Sequence, residues 1–401
     1  MNGRRIARRV GLGFALLLGL DLCGAAWLRS EGGYWRALPP FAATTNAAQR
    51  AWLERQLTAG DGEAELVGRT VEFDAQLGWC NRASSQSSDG RASYGVAGAR
   101  GPREYARERA AGTTRWVAFG DSFTHGDGLA DEETWQHLVE QRRPGVECAN
   151  FGVGGYGVDQ ALLRYRRDGR PLAPDVVWIG LMLENIGRHL NRYRPLYHPN
   201  SPTCAAKPRF VFEGGPSTDA TPLSAASLRA IAIPFDTRRG FVEAVADGSV
   251  IDRLAQHEGW PSRRPQWMRH SALLSLASGW AFYRSVDAQR LWSEPGEARA
   301  LTLALLMRFH AEARADGARQ AAVLVFPRRA EFEQVRSGAE RWWAGPMADL
   351  ERAGVPVLDL CDAWAASGCE AAELFQPDGH PSRRAAELSA AAVLAFADAR
   401  F

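Results

Sequence analysis

Hydrophobic residues in the C-terminal two-thirds of the chain occur in two alternating patterns. Short β-branched and aromatic runs predict buried strands at 115–119, 146–151, 175–182, 320–326 and 355–360. Apolar residues spaced three and four positions apart predict helices at 131–142, 158–167, 297–316, 340–353 and 382–399. Strands that alternate with helices form parallel sheets covered on both faces, so the pattern predicts a three-layer α/β domain from about residue 113 to the end.

Two regions interrupt this alternation. Residues 31–112 contain Gly, Ser and Arg clusters with isolated tryptophans, and we expect them to form an N-terminal extension that packs on the main domain. Residues 187–296 are far longer than a normal connection between two elements. We therefore interpret them as an insertion with structure of its own.

An apolar stretch from Val10 to Leu28 lies near the start of the chain. Its nineteen residues would rise about 28 Å as an α-helix, enough to cross the hydrocarbon core of a bilayer. Arginines at positions 4, 5, 8 and 9 precede it, an arrangement that keeps the start of the chain cytoplasmic and sends the rest across the membrane. Residues 1–30 are therefore predicted to be a signal anchor or a signal peptide.

Asp21 and the short segment that follows it help to distinguish a signal anchor from a cleaved signal peptide. Cys23-Gly24-Ala25 is a weak small-residue cleavage site, so removal of the segment stays open. Asp21 counts against spanning, although one charge near the exit end can reach the interface. Because the apolar stretch is longer than the core of most signal peptides, we favour an uncleaved anchor with the catalytic domain outside the cytoplasm.

The composition is that of an ordinary globular protein. The 401 residues are 46% hydrophobic and carry a formal net charge of +2, enough apolar material for one large core or two small ones. Lys207 is the only lysine, and the arginines occur in short scattered pairs such as Arg263-Arg264. A nucleic-acid surface needs clustered basic stripes with interleaved aromatics, so no nucleic-acid partner is expected.

The cysteines suggest disulfide chemistry rather than metal binding. Beyond Cys23 the chain contains Cys80, Cys148, Cys204, Cys361 and Cys369. In an exported chain, close pairs tend to oxidise, so we expect a Cys361–Cys369 disulfide, with Cys148 as the free thiol. No spacing fits a zinc site, and neither a metal nor a cofactor is predicted.

Polar residues follow the predicted strands at four places. Gly120-Asp121-Ser122 follows the first strand, Asn150 to Gly155 follows the second, and Leu183-Glu184-Asn185 follows the third. Asp378-Gly379-His380 precedes the last helix. Ser122 would therefore lie just past a strand end, where α/β proteins usually place their chemistry.

These four blocks, in this order, resemble those of the SGNH, or GDSL-like, hydrolase family. The resemblance covers residues 113–401 apart from the insertion, and it implies a flavodoxin-like fold. It also implies that Ser122 is the nucleophile. The oxyanion hole would consist of the backbone N–H groups of Ser122 and Gly155 together with the Asn185 side chain.

The chemistry of the residues agrees with this resemblance. A serine hydroxyl is a poor nucleophile until a base takes its proton, and the imidazole of His380 suits that role near neutral pH. Asp378 would hold the imidazole in the correct tautomer and stabilise the imidazolium. A glycine at position 155 lets the backbone approach the substrate closely.

The chain departs from the family pattern at two of the blocks. Only Gly379 separates Asp378 from His380, and Pro377 occupies the usual position of the acid, so a Ser122–His380 dyad remains the alternative to a triad. Ile186 replaces the aspartate that usually follows the asparagine. The Gly-x-Ser-x-Gly elbow of α/β-hydrolases is absent around Ser122.

Other conspicuous residues have structural explanations. We expect His125 to point to solvent at a helix start, and Gly152 and Gly154 to serve as turn glycines. The tryptophans of the insertion are expected to be core residues, with a sugar or lipid platform as the alternative: Trp260, Trp267, Trp280 and Trp292. The apolar segment Met268–Val286 is expected to pack on the catalytic domain rather than to touch the membrane.

The sequence thus predicts an extracytoplasmic serine esterase that removes acyl groups, acetyl above all, from an envelope or secreted glycan. An O-acyltransferase that modifies polysaccharide is the first alternative, because the same machinery transfers the acyl group if water is kept out. A non-catalytic carbohydrate-binding or scaffold protein of an envelope assembly is the second. The expected partners are an acylated carbohydrate or another ester and, through the N-terminal helix, the membrane; the oligomeric state stays open.

Overall fold

The structure is a computed structural model that describes residues 2–30, 46–60, 66, 68–199, 201–214, 228–260 and 271–400. Its strands are β1 Val71–Asp74, β2 Gly78–Asn81, β3 Ser85–Gln86, β4 Ser93–Tyr94, β5 Thr114–Phe119, β6 Val146–Asn150, β7 Val176–Met182, β8 Arg209–Phe212, β9 Leu228–Ile231, β10 Gln320–Phe326 and β11 Val357–Asp359. Its helices are α1 Asn2–Ser30, α2 Ala47–Thr58, α3 Ser122–His125, α4 Trp135–Arg142, α5 Val158–Arg164, α6 Asn185–Arg188, α7 Arg194–Tyr197, α8 Arg238–Ala246, α9 Val250–Leu254, α10 Ala272–Ser285, α11 Ala288–Ser293, α12 Glu297–Ala315, α13 Arg329–Arg336, α14 Ala344–Arg352, α15 Leu360–Ala366, α16 Ala371–Leu374 and α17 Arg383–Arg400.

Five strands form one parallel sheet in the order β11-β10-β7-β5-β6. Successive side chains of a strand point to opposite faces, so each strand contributes to two cores. On one face, Trp178 of β7 contacts Trp135 of α4 and Phe396 of α17. On the other, Phe119 of β5 contacts Tyr165, which follows α5, and Phe309 of α12. The predicted three-layer α/β fold is confirmed.

The predicted strands coincide with the five strands of this sheet, but three helices differ from expectation. The helix expected at 340–353 begins only at Ala344. The helix expected from residue 131 begins with a 3₁₀ turn at Asp131–Glu133, and α4 starts only at Trp135. The helix expected at 158–167 ends at Arg164 and continues as a π-helical turn, Tyr165–Gly169. Helix α13 was not predicted, because most of its surface is polar and only Glu331 and Phe332 are buried.

The N-terminal extension covers the loop that follows β6. Trp79 of β2 is buried, and its indole Nε1 donates to the carbonyl of Gly154 at 3.0 Å. The hydroxyl of Tyr156 in turn donates to the carbonyl of Trp79 at 2.5 Å. These reciprocal bonds join the extension to the loop that follows β6.

Tryptophans of the insertion support the loop after β7. Trp260 and Trp292 are buried, as expected, and their indole N–H groups donate to the carbonyls of Gly187 and Leu183 at 3.1 and 2.8 Å. Trp280 differs from the expectation, since 51% of its surface is exposed. Trp267 lies outside the described residues.

The expected Cys361–Cys369 disulfide is wrong. All six cysteines are free thiols, and only Cys23 is exposed. The two thiols have different neighbours: the charges of Asp359 and Arg341 act on the Cys361 thiol, whereas the Cys369 thiol hydrogen-bonds Arg384. Burial raises the pKa of the Cys361 thiol to about 12, which leaves it protonated and unreactive.

Helix α1 is the one helix of the described residues that is long and apolar enough to be a signal or transmembrane segment. The apolar stretch runs from Arg5 to Trp27, 23 residues, and no part of its most apolar window is buried inside the protein. Its exposed side chains include Phe14, Leu16 and Leu17.

Candidate active site

Ser122 lies at the carboxyl edge of the sheet, at the first residue of α3. The turn after β5 requires glycine, because a Cβ atom at Gly120 would lie 2.2 Å from Oγ1 of Thr124. Asp121 caps the short helix, its Oδ1 accepting from the N–H of Phe123 at 3.0 Å. Ser122 is consequently fixed at the end of the strand, with 7% of its surface exposed.

The Asp121 carboxylate links the first block to the third. Its Oδ2 accepts from Nδ2 of Asn185 at 3.0 Å and faces Nη1 of Arg188 at 3.4 Å. Burial raises the pKa of Asp121, and the Arg188 charge partly opposes that shift. The acid of the Gly-Asp-Ser block therefore holds its neighbours in position.

Two backbone N–H groups are available to a ligand at this edge. Gly155 has φ +80°, the left-handed region that favours glycine. Neither its N–H nor that of Ser122 donates a hydrogen bond to any described residue. Both groups have the free donor that an oxyanion hole requires.

Asn185 is more tightly engaged than the sequence suggests. Its Nδ2 donates to Asp121 and also to the carbonyl of Tyr156 at 3.2 Å. Its Oδ1 is buried and has no hydrogen-bond partner among the described residues. Because both Nδ2 hydrogens already have protein acceptors, Asn185 can serve an oxyanion only by sharing one of them.

Asp378 and His380 are in direct contact despite their short separation. Oδ2 of Asp378 lies 3.0 Å from Nδ1 of His380, and Oδ1 accepts from the His380 backbone N–H at 3.1 Å. Gly379 between them has φ +91°, which turns the chain back on itself. Burial opposes the change, but the hydrogen bonds from His380 lower the pKa of Asp378.

His380 lies beside the residue that follows Ser122 and makes no hydrogen bond to the serine itself. The imidazole centroid is 5.5 Å from the ring centroid of Phe123, the residue after Ser122. No hydrogen bond between Ser122 and His380 is present in the described part of the chain. Nε2 of His380 instead faces Oδ2 of Asp127 at 3.9 Å.

The expectation that His125 points to solvent is wrong. Nδ1 of His125 contacts Oδ1 of Asp127 at 2.5 Å, and Nε2 contacts the hydroxyl of Tyr94 at 2.8 Å. The reason is that α3 has only four residues, and Arg100 holds its carboxyl end inward by donating to the carbonyl of His125 at 2.8 Å. Burial lowers the pKa of His125, so it is a neutral structural residue.

Gly152 and Gly154 also have specific partners. A Cβ atom at Gly152 would lie 2.3 Å from the backbone nitrogen of His125, so this glycine permits a close approach of two loops rather than a turn. Gly154 accepts the Trp79 bond described above. Neither residue has a positive φ.

A group of charged residues beside the serine was not predicted. Glu184 pairs with Nη2 of Arg188 at 2.6 Å, and its other oxygen accepts from the hydroxyl of Tyr197. Arg194 donates from Nη1 to the carbonyl of Gly155 at 3.0 Å. Burial, followed by repulsion from Arg188, lowers the pKa of Arg194 to about 10.

The sequence signal for this group was the position of Glu184 directly after a strand. Arg188 lies one helical turn further along, which is the spacing of an ion pair on one helix face. Arg194 carried no such signal, because its contact with Gly155 spans 39 positions. Within the described residues, no three His, Cys, Asp or Glu side chains are arranged to hold a metal ion.

Comparison with known proteins finds structural matches only; no protein-family model and no curated protein matches the chain. A member of the lipolytic protein G-D-S-L family from Veillonella parvula is 11% identical with a TM-score of 0.32, over 72% of this chain and 100% of the other. A catalytic mutant of Axe2, an acetylxylan esterase from Geobacillus stearothermophilus, is 12% identical with a TM-score of 0.37, over 72% and 95%. LAE5, an alpha/beta hydrolase enzyme from the metagenome of Lake Arreo, is 14% identical with a TM-score of 0.37, over 72% and 96%.

The parallel five-stranded sheet with helices on both faces is an α/β fold. A fold of this class hosts many unrelated activities. The function is therefore argued from the site.

Proposed function

We propose that the protein is a serine esterase of the SGNH type. The observation that carries the proposal is the joint placement of three features at one sheet edge: Ser122, the unengaged N–H groups of residues 122 and 155, and the Asp378–His380 pair. Together they supply a nucleophile, a site for negative charge and a base.

In the proposed reaction, Ser122 Oγ attacks the ester carbonyl and His380 Nε2 takes its proton. Asp378 accepts the Nδ1–H of His380, which leaves the Nε2 lone pair free for this task. The carbonyl oxygen becomes an oxyanion held by the N–H groups of Ser122 and Gly155 and by a shared hydrogen of Asn185. The alcohol leaves with the proton from His380, and water then attacks the acyl-enzyme by the same route.

The geometry of the free enzyme requires one adjustment. His380 Nε2 faces Asp127 rather than Ser122, so the imidazole must move toward the serine when substrate binds. The side chain of His380 lies in a loop and is 24% exposed. Catalytic hydrogen bonds often tighten only in the substrate complex.

We further propose an extracytoplasmic location and an acylated glycan as substrate. The exposed apolar helix α1 and the arginines of its first turns support export with retention in the membrane. A membrane-held esterase outside the cytoplasm suits removal of acetyl groups from envelope or secreted polysaccharide. Transfer of the acyl group to a sugar hydroxyl is the second candidate, because Ser122 is largely buried, which limits its contact with water.

Labelling with a fluorophosphonate tests the nucleophile directly. The full chain in detergent is treated with the reagent, the modified residue is located by mass spectrometry, and hydrolysis of 4-nitrophenyl acetate is measured alongside. We expect modification at Ser122, and loss of turnover by on the order of a thousandfold or more in Ser122→Ala. Ser88→Ala, which removes an exposed hydroxyl elsewhere, is the matched control and should be unchanged.

Two outcomes would redirect the proposal. If Ser122 is not labelled and Ser122→Ala is as active as the parent, catalysis by Ser122 is contradicted. That outcome would favour a non-catalytic carbohydrate-binding or scaffold protein. Labelled Ser122 with little hydrolysis, but with acylated sugar formed when an acceptor glycan is added, would favour the acyltransferase.

A further inference from the structure

Helix α10 of the insertion packs beside the outer end of α1. A Cβ atom at Gly24 would lie 3.4 Å from both Cβ of Ala272 and Cδ1 of Leu276, so the two helices approach closely at this glycine. Asp21, Gly24 and Ala25 are less exposed than the neighbouring residues of α1. Their spacing of three and four places them on one face, which is the face that meets α10.

Asp21 forms the polar part of this contact. Its Oδ1 accepts from the hydroxyl of Ser271 at 2.7 Å and from the N–H of Leu273 at 2.9 Å. The carboxylate thus satisfies donors at the N-terminus of α10, where a negative charge is stabilising. An otherwise unpaired charge inside an apolar span is costly, so α10 supplies the partners that Asp21 needs there.

The contacts also determine the position of α10 along the axis of α1. Asp21 contacts Ser271 and Leu273 at the start of α10, whereas the contacts of Gly24 extend from Ala272 to Leu276 in the following turn, so the two helices run in the same direction at this point. Trp27 lies about 9 Å beyond Asp21, and Trp280 lies about 10 Å beyond Leu273, at the helical rise per residue. The two partly exposed tryptophans therefore lie at similar heights.

The face of α10 that points away from α1 is apolar and exposed. Exposed positions recur at helical spacing, at 274, 277, 281 and 284. Leu274 is 39% exposed and Trp280 51%, whereas Phe282 on the opposite side is buried and packs edge-on against Trp260. Arg284 lies over the Trp280 ring, with 5.0 Å from its Cζ to the centroid.

We propose that α10 is a second membrane contact, whose first turns enter the outer leaflet beside α1. Lipid acyl chains cover Leu274, Trp280 lies at the interface, and Arg284 reaches the headgroups; tryptophan and arginine are the residues typical of that level. The occupant is lipid because α10 is continuous with the uncovered apolar surface of α1. The inference rests on the proposed anchor, and it orients the catalytic domain on the membrane.

Quenching by brominated lipids tests this inference in the full chain. In a Cys23→Ser background the remaining cysteines are buried. Single cysteines replace Leu274, Trp280 or Leu16, are labelled with bimane, and are reconstituted in phosphatidylcholine and phosphatidylglycerol vesicles with acyl-chain bromines. Leu57→Cys, at a position on α2 that is 53% exposed, is the matched water-facing control.

We expect bimane at Leu274→Cys to lose fluorescence to a degree comparable with Leu16→Cys, with a weaker loss at Trp280→Cys and none at Leu57→Cys. Quenching at position 16 without quenching at 274 would overturn the inference and leave the anchor intact. Absence of quenching at 16 would overturn both. Shielding of 274 from iodide without lipid quenching would show that protein, such as a second copy, covers this face.

A variant of Asp21 separates the carboxylate contact from general packing. Asp21→Asn retains an acceptor oxygen, so lipid quenching at position 274 should persist. Asp21→Leu removes the acceptor, and the quenching should fall. Equal quenching in both variants would contradict the role assigned to Asp21.

Discussion

Oδ2 of Asp378 lies 3.0 Å from Nδ1 of His380, although only Gly379 separates the two residues. If this contact orients the imidazole, Asp378→Asn should lower kcat by about ten-thousandfold, because an amide favours the wrong tautomer. The rate of 4-nitrophenyl acetate hydrolysis measures the effect, with His380→Ala as the reference for complete loss. Activity within tenfold of the parent would contradict the triad and leave Ser122 and His380 as a dyad.

Asn185→Ala should lower kcat by roughly a hundredfold with little change in KM, since an oxyanion donor acts mainly in the transition state. Asn191→Ala is the matched control, because that buried amide donates to the carbonyl of Tyr193 instead. Steady-state kinetics of both variants distinguish the roles. An effect confined to KM would assign Asn185 to substrate binding.

Arg194 donates to the carbonyl of Gly155 and so positions the loop that carries the proposed oxyanion donor. Arg194→Gln should lower kcat by about tenfold to a hundredfold at constant KM, because small displacements of a donor weaken its contribution. Arg194→Lys should recover part of the rate, since an ammonium can still donate one hydrogen bond. Arg352→Gln changes an exposed arginine and should have no effect. Failure of lysine to restore any activity would point to a steric role for the guanidinium.

Lys207, the only lysine, forms a fully buried ion pair with Asp159. Lys207→Met leaves that carboxylate without its cation and should lower the free energy of unfolding by about 3–5 kcal/mol. The double variant Asp159→Leu with Lys207→Met should recover most of this loss. Arg290→Met, which breaks an exposed pair with Glu294, should change it by less than about 1 kcal/mol. Chemical denaturation followed by circular dichroism compares the three variants with the parent.

The strands of the sheet, and the polar motifs that follow them, could be predicted because each strand is a continuous apolar run that ends at polar residues. Val117 to Phe119 are fully buried, and the chain becomes polar at Asp121. The local sequence therefore indicates both that the strand is buried and where it ends. The contact between Asp378 and His380 could also be predicted, because the two residues are close in sequence and Gly379 between them allows the chain to turn. Residues 122 and 380 could be paired only through the resemblance.

The unpredicted parts depend on contacts between distant positions. His125 is buried because Arg100 and Tyr94 of the extension meet it, and neither has a sequence signal for that role. The same holds for Arg194 and Gly155. Cys361 and Cys369 are near in sequence, yet their thiols are free and have different neighbours, which spacing does not encode.

The hydrogen bonds between Trp79, Gly154 and Tyr156 limit how far the chain can be shortened from its N-terminus while the proposed site is kept. Strand β2 lies before the first strand of the main sheet, yet its indole and carbonyl groups hold the loop that presents the Gly155 N–H. A fragment cut at residue 113 would retain the sheet, the serine and the histidine, but that loop would lose its external support. The smallest fragment expected to keep the proposed activity therefore includes the β1–β2 hairpin, and truncation or domain-grafting designs should start upstream of it.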